Sequence, residues 1–202
     1  MRKAIISTFI FVFLLSLNLV LVAGENDVIY EVGKKVTDFT LKDLDGKEYS
    51  LHKLLKKDDV KGVVFMFTSI QCPVSNACDT RYKELAAQFQ EKGIVFLAIN
   101  SNKTESVEAI RSEHSKRNYN FPILKDWNNV IADRFGAEFT PHTYLVDKEG
   151  TLIYKGRIDD NHRRENMVKE NTLGMVVDEY LGGKDLTYTE TKSNGCTIKR
   201  VN

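Results

Sequence analysis

An α/β domain is predicted, with a central mixed β-sheet flanked by helices and an N-terminal β-hairpin ahead of it. Three observations carry that expectation. Val63-Val64-Phe65-Met66-Phe67 and Ile94-Val95-Phe96-Leu97-Ala98-Ile99 are continuously apolar and rich in β-branched and aromatic residues, as strands covered on both faces are. Each is followed by a segment with apolar residues at helical spacing. A terminal hairpin, a helix and a polar tail then close the chain.

At the start, Met1-Arg2-Lys3 and the apolar run of residues 4–24 read as a charged n-region and an h-region, with Ala23 and Gly24 supplying a cleavage site. The run is also long enough to span a bilayer as an uncleaved anchor. In either form the two charges put the rest of the chain outside the cytoplasm, periplasmic or secreted. No cysteine follows the run, which argues against a lipoprotein. The expected organisation is a signal peptide or membrane anchor over residues 1–24 and one domain over residues 25–202, ending in a cysteine-containing tail. Without Arg2 and Lys3, 27 basic residues face 28 acidic ones, with no block of either sign. Nucleic acid is therefore not an expected partner, and a membrane is one only if the leader is retained. Three cysteines are too few for a disulfide scaffold and point to redox chemistry.

Within the domain, Phe39-Thr40-Leu41, the Asp45-Gly46 turn and Glu48-Tyr49-Ser50-Leu51 form the hairpin. The strand of residues 63–67 runs toward Cys72. Val74, Cys78, Tyr82, Leu85 and Phe89 then mark a single helix, begun at Pro73 and ended by Gly93. Residues 94–99 are the second buried strand. Asn102 reads as a cap with Glu105 reaching back, opening a helix that carries Val107, Ile110 and His114 on one face. Asn102-Lys103-Thr104 is also a glycosylation acceptor pattern, relevant in a eukaryotic source. Residues 121–124 are a short edge strand, followed by a helix over residues 127–135, capped by Asp126 and stopped by Gly136. Residues 143–146 and 152–154 pair across Asp147-Lys148-Glu149-Gly150, and a last helix over residues 166–181 stops at Gly182-Gly183. Trp127 and the other aromatic residues are assigned to the core.

Cys72 is where chemistry is expected. It ends a strand and precedes a proline that starts a helix, so free amides and the positive end of the helix dipole face its sulfur. Both favour the thiolate, the nucleophile of disulfide exchange and of peroxide reduction. The alternative is a buried, inert cysteine that happens to end a strand.

Phe39-Thr40-Leu41-Lys42-Asp43-Leu44-Asp45-Gly46-Lys47, the strand into Cys72-Pro73 and Phe135-Gly136-Ala137-Glu138-Phe139-Thr140-Pro141 belong to one pattern. It continues through Leu145-Val146-Asp147-Lys148-Glu149-Gly150 and Gly156-Arg157-Ile158-Asp159-Asp160-Asn161, and ends at Gly195-Cys196-Thr197-Ile198-Lys199. In order and spacing these pieces resemble the AhpC/TSA-type redoxins of the thioredoxin-like superfamily, and they cover nearly everything after the leader. The resemblance implies a thioredoxin-like fold and thiol-disulfide oxidoreductase or peroxiredoxin-like antioxidant activity. It also implies a cis Pro141 beside Cys72, exposing the backbone of Thr140 to an extended substrate chain. Ser75 stands where thioredoxins carry their second cysteine, and Ser69 where peroxiredoxins carry a hydroxyl that orients the peroxide. Phe65 replaces the peroxiredoxin proline, and no matching arginine precedes the Tyr144 strand, which argues against efficient peroxidase action.

A serine at position 75 cannot resolve a mixed disulfide, so two cysteines remain. Cys78 lies on the apolar stripe, beyond disulfide reach of Cys72 unless the first helical turn unwinds. It is assigned to the core and kept as the alternative resolving residue. Cys196 sits in a polar, glycine-containing tail, and related redoxins carry a Gly-Cys near this end. In the favoured reading Cys72 attacks a protein or small-molecule disulfide, or a peroxide, Cys196 resolves, and an external thiol reductant resets the pair. That reading calls for no cofactor and no metal. The rival is a copper-binding chaperone of the same fold, with Cys72, Cys78 and His142 as ligands. Otherwise His142 is a proton donor near the site or is turned away from it. His52, His114 and His162 read as surface or capping residues, and Asp159-Asp160-Asn161 as a turn shaping the surface near the tail.

Overall fold

The computed structural model describes residues 29–201, so the leader expected over residues 1–24 lies outside the described residues. The N-terminal hairpin is β1 (Thr40–Asp43) and β2 (Glu48–Ser50), followed by a short helix, α1 (Leu51–Leu55). Next come β3 (Gly62–Phe67), α2 (Pro73–Asn76), α3 (Asp79–Gln90), β4 (Ile94–Asn100), α4 (Val107–Arg117), β5 (Ile123–Lys125) and α5 (Val130–Arg134). Strands β6 (Phe139–Thr140), β7 (His142–Asp147) and β8 (Leu152–Gly156) precede a 3-10 turn, α6 (Thr172–Leu181) and β9 (Cys196–Thr197). Seven strands form one mixed sheet in the order β2-β1-β5-β4-β3-β7-β8, while β6 and β9 make a separate two-stranded ladder.

Strand β3 lies inside the sheet, parallel to β4 and antiparallel to β7. All six of its residues are buried. The pleat sends alternate side chains into two layers. Val63, Phe65 and Phe67 enter the layer that also holds Phe39, Phe135 and Tyr144. Val64 and Met66 face Tyr82, Leu85 and Phe89 of α3 and Val176 and Val177 of α6. The continuous apolar run is explained by that double coverage, and its C-terminal end delivers residues 68–72 to the sheet edge where the helices begin.

Five expectations need correction. The helix from Pro73 is broken between Asn76 and Asp79, where the buried Arg81 guanidinium donates to the Ala77 and Asn161 carbonyls and pairs with Asp159. Ser106, not Asn102, caps α4, its hydroxyl accepting from the Ala109 amide at 3.2 Å. Asn102 is itself buried, so the glycosylation pattern is inaccessible. Strand β5 is internal, because the N-terminal hairpin covers its other edge. Trp127 is 61% exposed, with the Lys125 ammonium 5.4 Å from its ring centroid. Boundaries also move. Asn171 caps a shorter last helix by accepting from the Gly174 amide, while α5 begins at Val130 with Asn129, not Asp126, at its cap position, and the Asp126 carboxylate accepts from the Ala132 amide. Helix α1, capped by Ser50, has no counterpart in the sequence reading.

Phe135 stacks at ring-centroid distances of 5.0–6.0 Å on Tyr30, Phe39, Phe65, Phe67 and Tyr144. Phe135→Ala should therefore cost about 3–5 kcal/mol of unfolding free energy. Trp127→Ala should cost less than about 1 kcal/mol, since only a surface contact is lost. Urea unfolding followed by circular dichroism checks both.

Candidate active site

Cys72 is the residue before α2 and is 1% exposed. Pro73 opens the turn at its first helical position, where no amide is needed. The Ser75 amide donates to the Cys72 sulfur at 3.3 Å, and the Cys72 thiol donates to the Thr140 carbonyl at 3.1 Å. Because α2 is a single turn, what it offers the sulfur is this one local amide rather than the dipole of a long helix. The Ser75 hydroxyl is turned away from the sulfur and meets Thr68 Oγ1 at 2.9 Å.

The Thr140-Pro141 peptide is cis. Thr140 belongs to β6, and the residue paired with it across the antiparallel ladder is Cys196 of β9. The polar, glycine-containing tail thus holds a strand, which carries the third cysteine to the first. All three cysteines are free thiols. Burial pushes the Cys72 thiol up, but it is outweighed by hydrogen bonds from the Cys196 thiol, the Ser75 amide, the Thr140 hydroxyl and the Cys196 amide, and the net direction is down. Cys196 moves the opposite way, raised by burial and by the thiolate beside it. The two thiols are thus shifted in opposite directions, Cys72 down and Cys196 up.

Cys78 is fully buried and is pushed up to about 12 by that burial, despite the nearby Arg81. Its thiol donates to the His162 carbonyl at 3.6 Å. It occupies the core, as expected. Asp159, read as part of a turn, is instead the buried partner of Arg81 and ties that turn to the joint between α2 and α3.

Ser69 does not face the thiol. Its hydroxyl donates to the buried carboxylate of Glu105, which also accepts from the Ile70 and Gln71 amides at 3.1 and 3.0 Å and from Asn100 Nδ2. Lys125 Nζ, also buried, donates to Asn100 Oδ1, Asn102 O and Glu105 O at 2.7–3.1 Å. This network fixes the backbone that presents Cys72. The sequence reading missed it because Asn102-Lys103-Thr104-Glu105 imitates a capping box; the better cap, Ser106, directly after Glu105, was the available signal.

His142 follows Pro141, yet its Nδ1 bonds the Tyr144 hydroxyl at 3.0 Å, and its ring lines a groove with Phe139, Lys155 and Glu190. Among the described residues no group of three His, Cys, Asp or Glu side chains is arranged to hold a metal ion, so Cys72, Cys78 and His142 do not form a ligand set. His52 and His114 contact the Val36 and Phe121 carbonyls.

The sequence profile of the AhpC/TSA family matches residues 32–155, more than half of the chain. The chain belongs to the AhpC/TSA family. Its fold is thioredoxin-like. The thiol-disulfide oxidoreductase ResA of Halalkalibacterium halodurans is 25% identical over 138 residues, which cover 68% of this chain and 73% of that one. A Coxiella burnetii protein named as a peroxiredoxin, bcp, is 27% identical over 139 residues, covering 60% of this chain and 85% of its own. The crystal structure of a hypothetical protein from Sinorhizobium meliloti superposes with a TM-score of 0.75 at 32% identity, over 85% of this chain and 95% of that chain.

Burial lowers His142 from 6.5 to about 4, so between those values the unfolded chain binds the extra proton and stability falls as the pH drops. In wild type that loss should reach up to about 3 kcal/mol, and His142→Gln should flatten it; denaturant titrations across the window measure the difference. Glu105→Ala should cost about 2–4 kcal/mol, because four donors each lose an acceptor, and should speed hydrogen exchange at the Ile70 amide above all.

Proposed function

We propose that this protein is an extracytoplasmic thiol-disulfide oxidoreductase in which Cys72 is the attacking thiolate and Cys196 the resolving thiol. One observation carries the reading: the pairing of Thr140 with Cys196 brings both the thiol and the amide of Cys196 to the Cys72 sulfur. The names of the ResA and bcp relatives agree with this class of activity. In the oxidative half-cycle the Cys72 thiolate attacks one sulfur of a disulfide, forming a mixed disulfide and expelling a thiolate. Cys196 supplies a proton to the departing sulfur. Its own thiolate then attacks the Cys72 sulfur, releasing the second thiol and leaving a Cys72–Cys196 disulfide. An external dithiol restores both thiols and is itself oxidised. No cofactor enters this cycle.

Disulfide exchange is favoured over peroxide reduction because the Ser69 hydroxyl is committed to Glu105 rather than to a substrate beside the sulfur. Ser75, Thr140, Pro73 and Pro141 support the site by amide donation, by the thiol's carbonyl partner and by chain direction. The extracytoplasmic placement rests on Arg2-Lys3 and the apolar run of residues 4–24, with residues 25–202 as the redoxin domain. Among the described residues no helix is long and apolar enough to cross a membrane.

Peptide mapping of air-oxidised protein should find Cys72 joined to Cys196; a Cys72–Cys78 bridge would sink the assignment. Alkylation rates followed against pH should place the Cys72 thiol below a free cysteine, and Cys196→Ala should move it upward, because a donor to the thiolate is lost. The same variant should accumulate mixed disulfides on Cys72.

A further inference from the structure

An extended polypeptide that offers a disulfide to Cys72 needs backbone partners beside the sulfur, as in strand addition to an exposed edge. The backbone nearest the sulfur is that of Thr140, whose carbonyl receives the Cys72 thiol. In this chain that stretch is already paired, by β9. We propose that β9 is a built-in occupant of the strand edge at the site, so that Cys72 serves low-molecular-weight disulfides and is closed to extended polypeptide ones. The inference rests on the reading of Cys72 as the nucleophile and names its substrate class.

The tail is fastened on both sides of Cys196. Before it, the Ser193 hydroxyl donates to the Pro141 carbonyl at 2.5 Å. After it, the Ile198 amide donates to Glu138 O at 2.9 Å, and the Ile198 side chain is buried in the core. The Lys199 amide donates to Asn102 Oδ1 at 2.8 Å, Arg200 pairs with Asp133, and the Val201 amide donates to Asn129 Oδ1 at 2.7 Å. Between these anchors Gly195 lies directly on the Thr140 carbonyl. A Cβ at position 195 would stand 2.0 Å from Thr140 O, closer than any side chain tolerates. Glycine is what lets the tail lie this close to the strand.

Exposure is distributed accordingly. Cys72 is buried beneath the tail, whereas Cys196 is half-buried and forms the open side of the sulfur pair. A small disulfide needs only the Cys72 sulfur, which is 1% exposed, and so asks for a local opening at Cys196 and not for release of the strand edge. A polypeptide needs the edge that β9 holds. Electrons and atoms balance for the small substrate: two protein thiols and one RSSR give one protein disulfide and two RSH.

The test uses the full-length Cys196→Ser protein, in which adducts on Cys72 persist because no thiol resolves them. Mass spectrometry follows adduct formation with two probes, glutathione disulfide and the disulfide-linked dimer of a short extended peptide with a central cysteine. Glutathione disulfide should react faster by on the order of a hundredfold. Adding Gly195→Ala, which forces the tail off Thr140, should shrink that ratio by about tenfold or more whatever it does to the intrinsic reactivity of Cys72. Comparable rates for both probes with Cys196→Ser alone would overturn the closed edge while leaving the nucleophile assignment intact. An unchanged ratio in a folded Gly195→Ala protein would overturn β9 as the cause. No adduct on Cys72 with either probe would overturn the nucleophile assignment and this inference together.

Discussion

Backbone pairing between β6 and β9 is two residues long, yet the chemistry of the site leans on it. An antiparallel ladder decides which residue stands opposite which, and here Cys196 stands opposite Thr140. Thr140 in turn receives the Cys72 thiol, so segments far apart in the chain converge on one sulfur. Burial by itself raises a thiol. Cys78 shows the outcome where donors are few, pushed up to about 12. Cys72 is buried as well, and the donors brought by Ser75, Thr140 and the tail reverse the direction. Two cysteines six positions apart are therefore shifted in opposite directions because of what a third, remote segment supplies.

Beneath the loop that leads to Cys72 lie a buried carboxylate and a buried ammonium, both costly to remove from water. Glu105 and Lys125 are retained with their hydrogen-bonding capacity engaged by loop amides, Asn100 and backbone carbonyls. A hydrophobic substitute would fill the space but would leave the Ile70 amide without its acceptor and the Gln71 amide with the Ser69 hydroxyl alone. Arg81 and Asp159 make a comparable tie between the joint of α2 and α3 and the turn after β8. That tie is incomplete, since Arg81 Nε is buried without a partner. Rigidity around Cys72 is thus obtained from polar contacts, and the two apolar layers supply the bulk of the packing.

Much of the fold was legible in the chain because local pattern encodes it. Continuous apolar runs marked β3 and β4, the Asp45-Gly46 and Asp147–Gly150 turns marked the hairpins, and Gly93 and Gly136 marked helix ends. The strand–Cys–Pro sequence placed Cys72 between β3 and the turn of α2 for the same reason. Where two local signals competed, the weaker geometry was read: Asn102 before Ser106 as a cap, and one helix through Cys78 where Arg81 holds a break.

What the sequence determined by itself is each segment's preferred conformation and the identity of the groups that can do chemistry, since these follow from side-chain type and spacing. Tertiary structure alone decided which groups meet. Glu105 reaching Ser69 and Cys196 reaching Cys72 span 36 and 124 positions, and no periodicity within either segment records the other. Trp127 is exposed for the same kind of reason: its aromatic character favours burial, but its place between β5 and α5 gives it no layer to enter. Reactivity here is a property of juxtaposition. Local preference constrains dihedral angles over a few residues, whereas a thiolate is stabilised only by the donors that the completed fold brings within hydrogen-bonding distance.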